Sequence, residues 1–509
     1  MQQPRFSRSL TTNVFSISAS RAWQAGLQFI FTPVYITLLG PDAYGIIALN
    51  ATLLLALLCL DQLVNPLLIR EIGRLANKSG AAPEIRNLLR SLECVSLVTG
   101  IAVGLAIVLA APVLVGYWIT ASTLSDEQVT TALRLIGVSI ACQWPGFLYG
   151  GGFIGLHRQD VLGAIRVIFA TLQTVGGVLL LWLVSPSIML LLLWQIATFA
   201  AQSVVLNRAV WRALPPDPRP PRFDLAKLRS VWRFGAGTLV VAAATSLLTH
   251  GDKLIVSKLV TLDQFSAYFI SSFVGLYLTF LVIWPVTHSL QAHFARLIEQ
   301  NDEALLAREY HRWTQLVSIV VLAVFGPIIV YAQPLLLIWL GPKSPVVEPA
   351  AQYLSWFMLG YIFNNVVSMA LILQIAAGYV RLSVIKNVLA AVLFVPAVYV
   401  GILHYGPVAG AVCWFVFNVG YFVLEIPMMH RRLLRRELWE WWAFDTCLPM
   451  GIAAAILWIS ARLSPPGSGV WGELALAAAT SACIAVVLTV ALPHARAQAL
   501  RSLKIVKSA

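Results

Sequence analysis

Charged side chains are rare inside the apolar runs of this chain, and those that occur are the residues able to do chemistry there. The candidates among them are Arg21, Asp61, Arg134, Asp252, Lys253 and Glu425. A charge in hydrocarbon costs at least ~2.5–3.5 kcal/mol on insertion scales, so such a side chain faces a cavity or a partner. Arg21 stands roughly 15 Å into its run at ~1.5 Å per residue, near the middle of a span. A guanidinium there would suit an anion, because its fork of donors matches a phosphate. Asp61 and Asn65, four residues apart, share one helix face. Asp61 either pairs with Arg21 to join two helices or titrates as a coupling site. The stretch THGDKLIVSK at 249–258 gathers His250, Asp252, Lys253 and Lys258. Lys253 either lines a cavity beside Asp252 or, like Lys258, snorkels to the interface. Arg134 and Glu425 lie near the ends of their runs and are expected at the interfaces.

Other chemistries are poorly served. The histidines are scattered, with no HxxxH or HExxH spacing, so no metal site is expected. No GxxxxGK[ST] loop and no Ser/His/Asp arrangement is present, and an enzyme is not expected. The six cysteines sit singly in apolar runs and are read as small core residues, with no metal or disulfide role. Active transport would need an ion gradient, with H+ or Na+ as the coupling cation and no other cofactor.

The elements that must position these residues follow from composition. Of 509 residues, 59% are hydrophobic and 11% charged, where a soluble domain carries about a quarter charged. Such a chain is an all-α polytopic membrane protein. Runs of ~20 apolar residues, the length that crosses a bilayer, recur about fourteen times along the chain. They fall near 11–38, 45–69, 91–117, 130–152, 163–184, 187–207, 234–258, 265–290, 313–333, 350–374, 384–404, 407–428, 446–463 and 471–492. The net charge of +13 is expected to report topology and not nucleic acid. Lys and Arg concentrate on alternate loops, leaving Arg21, Arg134, Lys253, Lys258, Lys343 and Arg462 as exceptions, which predicts cytoplasmic termini. Arg158 and Arg166 are counted with the cytoplasmic loops. The opposite loops are short and turn-rich: LGPDAYG, SPS, TLDQ, HYGPV and SPPGSG.

A Pro- and Arg-rich insert divides the spans. The expected organisation is a six-helix lobe over 1–210, a cytoplasmic linker over 211–233, a second six-helix lobe over 234–440, and a helical pair with a basic tail over 441–509. Aligning LGPDAYGIIAL (39–49) with VTLDQFSAYFI (260–270) sets Asp42 opposite Asp263 and Tyr44 opposite Phe265, so the lobes read as repeats. Gly100 with Gly104, Gly151 with Gly155, and Gly406 with Gly410 are small-xxx-small pairs suited to close packing. Pro33, Pro66, Pro145, Pro285, Pro327 and Pro396 are candidate kinks. HRRLLRRELWEWWAF (430–444) reads as interfacial, with Trp439, Trp441 and Trp442 in the headgroup belt.

The stretches TNVFSISASRAWQAGLQFIFTPVYITLLGPDAYGIIAL, LDQLVNPLLIREIGR and GDKLIVSKLVTLDQFSAY resemble the polysaccharide or O-antigen flippases. Those belong to the multidrug/oligosaccharidyl-lipid/polysaccharide exporter superfamily. The resemblance implies two six-helix lobes around a central cavity, followed by a further helical pair. It also implies transfer of undecaprenyl-diphosphate-linked oligosaccharide from the cytoplasmic to the periplasmic leaflet of a bacterial inner membrane, for O-antigen, capsule or exopolysaccharide. Arg21 and Lys253 would then bind the diphosphate and sugars, and Asp61 and Asp252 would couple or pair. Expected partners are membrane lipids and polysaccharide assembly proteins: glycosyltransferases, a polymerase and a ligase. Two alternatives stay open, an ion-coupled drug exporter of the same superfamily and a membrane polysaccharide polymerase or ligase. The short, apolar outer loop at 334–349 disfavours the latter.

Overall fold

A computed structural model describes residues 10–75, 78, 80–379, 381–463, 469–498 and 500. The basic residues expected at both termini, Arg5, Arg8, Arg501, Lys504 and Lys507, lie outside the described residues, as does most of the SPPGSG turn. The described chain is helical, with one isolated bridge between Thr120 and Thr261. Among the described residues, eleven helices or broken helices are long and apolar enough to cross a membrane. Those carrying the apolar runs at 11–38, 130–152 and 234–258 fall outside that set. The run at 130–152 is diluted by its glycines and by Gln143, Trp144, Pro145 and Tyr149.

Residues 1–266 form one compact unit. It holds α1 (Leu10–Leu39), α2 (Pro41–Leu57), α3 (Asn65–Leu75), α4 (Ala82–Tyr117), α5 (Asp126–Gly155), α6 (Gln159–Leu183), α7 (Ile188–Ala213) and α8 (Leu225–Leu259). The polarity of α4 is inverted relative to a soluble helix. Val98, Ile101, Leu105, Leu109 and Val113 recur every three or four residues and are each more than half exposed. The buried side carries Gly100 and Gly104, against Trp144 and Gly137 of α5. An apolar face turned outward over residues 97–117 of the helix is suited to lipid, with the backbone bonds satisfied internally. The chain is a polytopic membrane protein.

The Gly-rich end of α5, YGGGFIG (149–155), is the seat of this unit. A Cβ on Gly150 would meet the Arg166 guanidinium, on Gly151 the Asn65 carboxamide, on Gly152 Val210, and on Gly155 Ile72. Gly151 and Gly155 thus act as the expected small pair, both receiving α3. Gly151→Val is expected to expel Asn65 and cost about 1–3 kcal/mol, the range for overpacking. Thermal unfolding of the purified protein in detergent checks this; an unchanged melting temperature would contradict the seat. The same end is pinned by Glu93 of α4, whose carboxylate accepts from Tyr149 (2.7 Å), from Asn207, and from Arg90 (2.8 Å).

The Pro-rich insert is extended over 214–224 and runs along α4. Asn87 Oδ1 accepts from Arg222 N (2.7 Å) and Ser91 Oγ from Asp224 N (2.8 Å). Helix α8 then returns to the unit, packing on α2 and on the 3-10 turn Leu58–Leu63, with Ser246 Oγ donating to the Ala56 carbonyl at 3.0 Å.

Residues 267–509 form the second unit. Its elements are α9 (Leu262–Leu278) from Ala267 onward, α10 (Trp284–Glu299), α11 (Glu303–Val330), α12 (Ala332–Leu340), α13 (Val347–Ala376), α14 (Arg381–Tyr405), α15 (Val408–Leu433), α16 (Leu438–Glu440), α17 (Leu448–Leu463) and α18 (Gly469–Ala491). Helix α11 packs on α13, α17 and α18, so the C-terminal pair closes around it. Aromatic rings fill glycine notches: Tyr361 at Gly275, Trp414 at Gly360, Tyr268 at Gly410. Gly406 is not half of an interhelical pair; its φ of +72° makes the reversal between α14 and α15, a conformation glycine adopts without steric cost. Part of the expected outer loop is helical, as α12, because Leu336 and Leu340 find a buried face.

The two repeats share a broken helix. In the first unit α2 and α3 are separated by the 3-10 turn, and Pro66 stands at the start of α3. In the second, α9 and α10 are separated by the wide turn Thr279–Ile283, and Pro285 stands at the start of α10. Proline lacks the N–H that would continue the ladder, so the preceding turn tightens or widens.

Four expectations change. Glu425 is buried and not interfacial: Gln374 (2.9 Å) and Lys386 (2.7 Å) donate to it. Lys386, read as a loop charge, belongs to α14 and also lies over the Tyr421 ring. Trp441 is fully buried against Phe422 and His430, while Trp439 is exposed. Cys447 and Cys483 are exposed, not core residues, and all six cysteines are free.

Candidate functional site

The close approach of α1 to α6 sets the site in the first unit. Gly163 lets the α6 backbone rest on Ser16; a Cβ there would stand 3.0 Å from the Ser16 carbonyl oxygen. Further along, Trp23 Nε1 donates to Thr171 Oγ1 (2.9 Å) and Tyr35 to the Thr174 carbonyl (3.0 Å). Between these anchors Arg21 and Arg166 come within electrostatic reach of each other. Arg166 is half-buried, with its guanidinium over Gly150, and Arg21 is exposed on the surface of the unit. Two like-charged guanidiniums within electrostatic reach repel, and an anion near both would lessen that repulsion. A pair of planar forks is suited to a group with several oxygens, such as a phosphate or diphosphate.

Arg166 is the candidate residue that the loop count hides. It stands eighth in α6, inside GAIRVIFA, with apolar residues on both sides. That enclosure in an apolar stretch is the signal that separates it from Arg158.

Asp61 lies in the 3-10 turn and is buried. Its Oδ2 accepts from Asn65 Nδ2 (2.9 Å), and the same amide group reaches the Phe147 carbonyl at 3.2 Å. The i,i+4 pair therefore sits at the helix break, over the Gly151 notch. Asp252 is buried on α8 and pairs with Lys253, whose Nζ is 3.2 Å from both carboxylate oxygens and 3.1 Å from the Thr249 carbonyl. The Lys253 charge is thus largely balanced by its neighbour. His250 is electrostatically coupled to both. Lys258 lies over the Trp118 ring at 5.1 Å, and Trp118 Nε1 donates to Ser257 at 3.2 Å. Arg134 is exposed near the start of α5.

The two aligned aspartates converge on one loop. Asp42 Oδ2 accepts from Ser122 N (2.9 Å), Thr123 Oγ1 (2.7 Å) and Thr123 N, while Asp263 Oδ1 accepts from Ser122 Oγ at 2.8 Å. Leu262 N donates to the Thr120 carbonyl at 2.9 Å, and Gly45 packs on the Leu262 carbonyl. Positions matched by the internal alignment therefore grip the α4–α5 loop together.

Residues 37–344 match a family described as polysaccharide biosynthesis protein. None of the curated proteins matches the chain. Among solved structures, the chain is similar to the lipid II flippase MurJ in its inward closed conformation. The TM-score is 0.73 at 12% identity, over 94% of this chain and 98% of that one. It is also similar to an inward-facing multidrug resistance MATE family transporter of the MOP superfamily, with a TM-score of 0.62 at 13% identity over 82% and 99% of the two chains. A MATE structure in complex with MaD3S gives 0.56 at 13% identity, over 83% and 95%. At these identities the likeness is one of fold.

Proposed function

Because this chain belongs to the polysaccharide biosynthesis protein family, we propose that it is a flippase for undecaprenyl-diphosphate-linked oligosaccharide. It works in a bacterial inner membrane, with both termini cytoplasmic, and moves the head group from the cytoplasmic to the periplasmic leaflet by alternating access. The observation that carries this reading is the Arg21–Arg166 pair, a doubly cationic patch on apolar helices whose natural counter-ion is a diphosphate. Lys253, already balanced by Asp252, takes the lesser role of contacting the sugars. Asp61, buried at a helix break, is the site for a coupling H+ or Na+. The lipid tail stays in the bilayer, so the protein needs to shield only the polar head. Glycosyltransferases supply the substrate, and a polymerase or ligase consumes the product. The patch also argues against the drug-exporter reading for cationic drugs, which it would repel.

The test is the leaflet position of undecaprenyl-diphosphate-linked oligosaccharide in cells depleted of the protein. Accumulation on the cytoplasmic face, relieved by re-expressing the wild type, supports the flippase. If the intermediate reaches the periplasm normally while sensitivity to small toxic molecules rises, the exporter reading replaces it.

A further inference from the structure

We propose that His311, Glu437 and Glu440 bind a divalent transition-metal ion that staples the start of the C-terminal helical pair to α11. The argument begins with the far nitrogen of the imidazole. His311 is buried on α11, and its Nδ1 meets Asp445 Oδ2 in a short hydrogen bond. Asp445 is fully buried; its Oδ1 accepts from Gln315 Nε2 (2.8 Å) and its carbonyl from Ser318 Oγ (2.8 Å). Gln315 is itself fixed by accepting from His494 N at 3.1 Å. A carboxylate held this way is an acceptor, so it assigns the proton to Nδ1 and leaves the Nε2 lone pair pointing outward. A metal-bound histidine is oriented in the same manner, by a carboxylate on its other nitrogen.

Nε2 faces a second acceptor, Glu437 Oε2, at 3.1 Å. Two acceptors at that distance repel unless a proton or a metal ion lies between them. Glu440 completes the set, with one ligand atom from each of His311, Glu437 and Glu440 within 4.8 Å of the others. Metal–nitrogen and metal–oxygen bonds of about 2.1 Å set adjacent ligand atoms about 3 Å apart at right angles. The His311–Glu437 spacing already has that value. Glu440 is exposed and free to swing in.

Charge and helix geometry favour a metal over a proton. Asp445, Glu437 and Glu440 surround His311, with the His494 ring stacked on it at 6.4 Å, and protonating His311 alone would still leave two negative charges among the carboxylates. The backbone between the carboxylates is the wide turn Trp441–Cys447. Glu437 and Glu440 are three apart and share a face, and the five-residue spacing from Glu440 to Asp445 matches the i→i+5 period of a π turn. Burial of Trp441 against His430 and Phe422 holds that turn in place. One nitrogen with two carboxylates suits Zn2+ or Mn2+ better than Ca2+, which takes oxygen ligands.

The experiment uses the full-length protein in detergent, purified without chelator. Metal content is measured by mass spectrometry; the protein is then stripped and titrated with Zn2+ and with Mn2+ while its melting temperature is followed. The expected result is about one ion per chain, a melting temperature that falls on stripping and returns on add-back, and affinity at least about tenfold weaker in Glu437→Gln/Glu440→Gln. Glu440→Gln alone, at an exposed position outside the core, provides the same comparison if the double variant fails to fold. Wild type that neither retains nor responds to either ion overturns the proposal. So does a Glu440→Gln protein with wild-type affinity.

Discussion

Arg21→Ala and Arg166→Ala are each expected to abolish most transport without unfolding the protein. Truncating one partner of a buried, hydrogen-bonded charge pair costs about 2–5 kcal/mol of binding, a range for Arg166 on binding substrate, with the exposed Arg21 at its lower end. That corresponds to roughly thirty- to several-thousand-fold weaker capture of an anionic head group. The effect on the substrate-free protein has the opposite sign for Arg166. Its guanidinium stands over the Gly150 notch within electrostatic reach of Arg21, so removing it relieves repulsion between like charges. The melting temperature of Arg166→Ala is therefore expected to hold or rise while flipping fails. Arg21→Lys keeps the charge but loses the planar fork, and intermediate activity is expected. The checks are leaflet-resolved assay of lipid-linked oligosaccharide and thermal unfolding on the same preparations. An Arg166→Ala protein that melts lower and still flips would make the arginine a structural residue and remove the cationic-patch mechanism.

The helices were legible because lipid imposes a simple rule: every span must be long, apolar and internally hydrogen-bonded. The repeat was legible for a related reason. Asp42 and Asp263 each sit in the first turn of an apolar helix, α2 and α9, where a carboxylate is favoured by the helix dipole. That local logic leaves a mark in sequence. What stayed hidden depends on neighbours distant along the chain. Arg166 is marked in sequence by its apolar neighbours, but its nearness to Arg21 shows only when α1 is laid against α6 at Gly163. Glu425 reads as interfacial until Gln374, 51 residues away, is found beside it. Trp441 reads as a headgroup anchor until the wide turn at 441–447 rotates it inward. His311 and Glu437 are 126 residues apart, a separation that no short spacing motif reports.

Asp42→Ala is expected to be the most destabilising single change outside the hydrophobic contacts. One carboxylate oxygen takes three donors from Ser122 and Thr123, and Asp42 is itself buried at the start of α2. Hydrogen bonds to a charged acceptor contribute about 1.5–3 kcal/mol each. Ser122 and Thr123 are exposed, so water recovers part of the loss, and a net cost on the order of 3–5 kcal/mol follows. Asp42→Asn keeps an acceptor without the charge and should fall between alanine and wild type. Asp263→Ala gives up the exposed Ser122 hydroxyl and local bonds from Thr261 and the Gln264 backbone at the start of its own helix, but no amide of the α4–α5 loop. This asymmetry is the sharp part of the expectation, because the two aspartates are equivalent in the repeat yet carry different loads. Hydrogen exchange at the Ser122 and Thr123 amides reads it directly: both should lose protection in Asp42→Ala and keep it in Asp263→Ala. Equal exchange in the two variants would mean that the loop is held by the backbone bond from Leu262 to Thr120 and that the Asp42 carboxylate is dispensable to it.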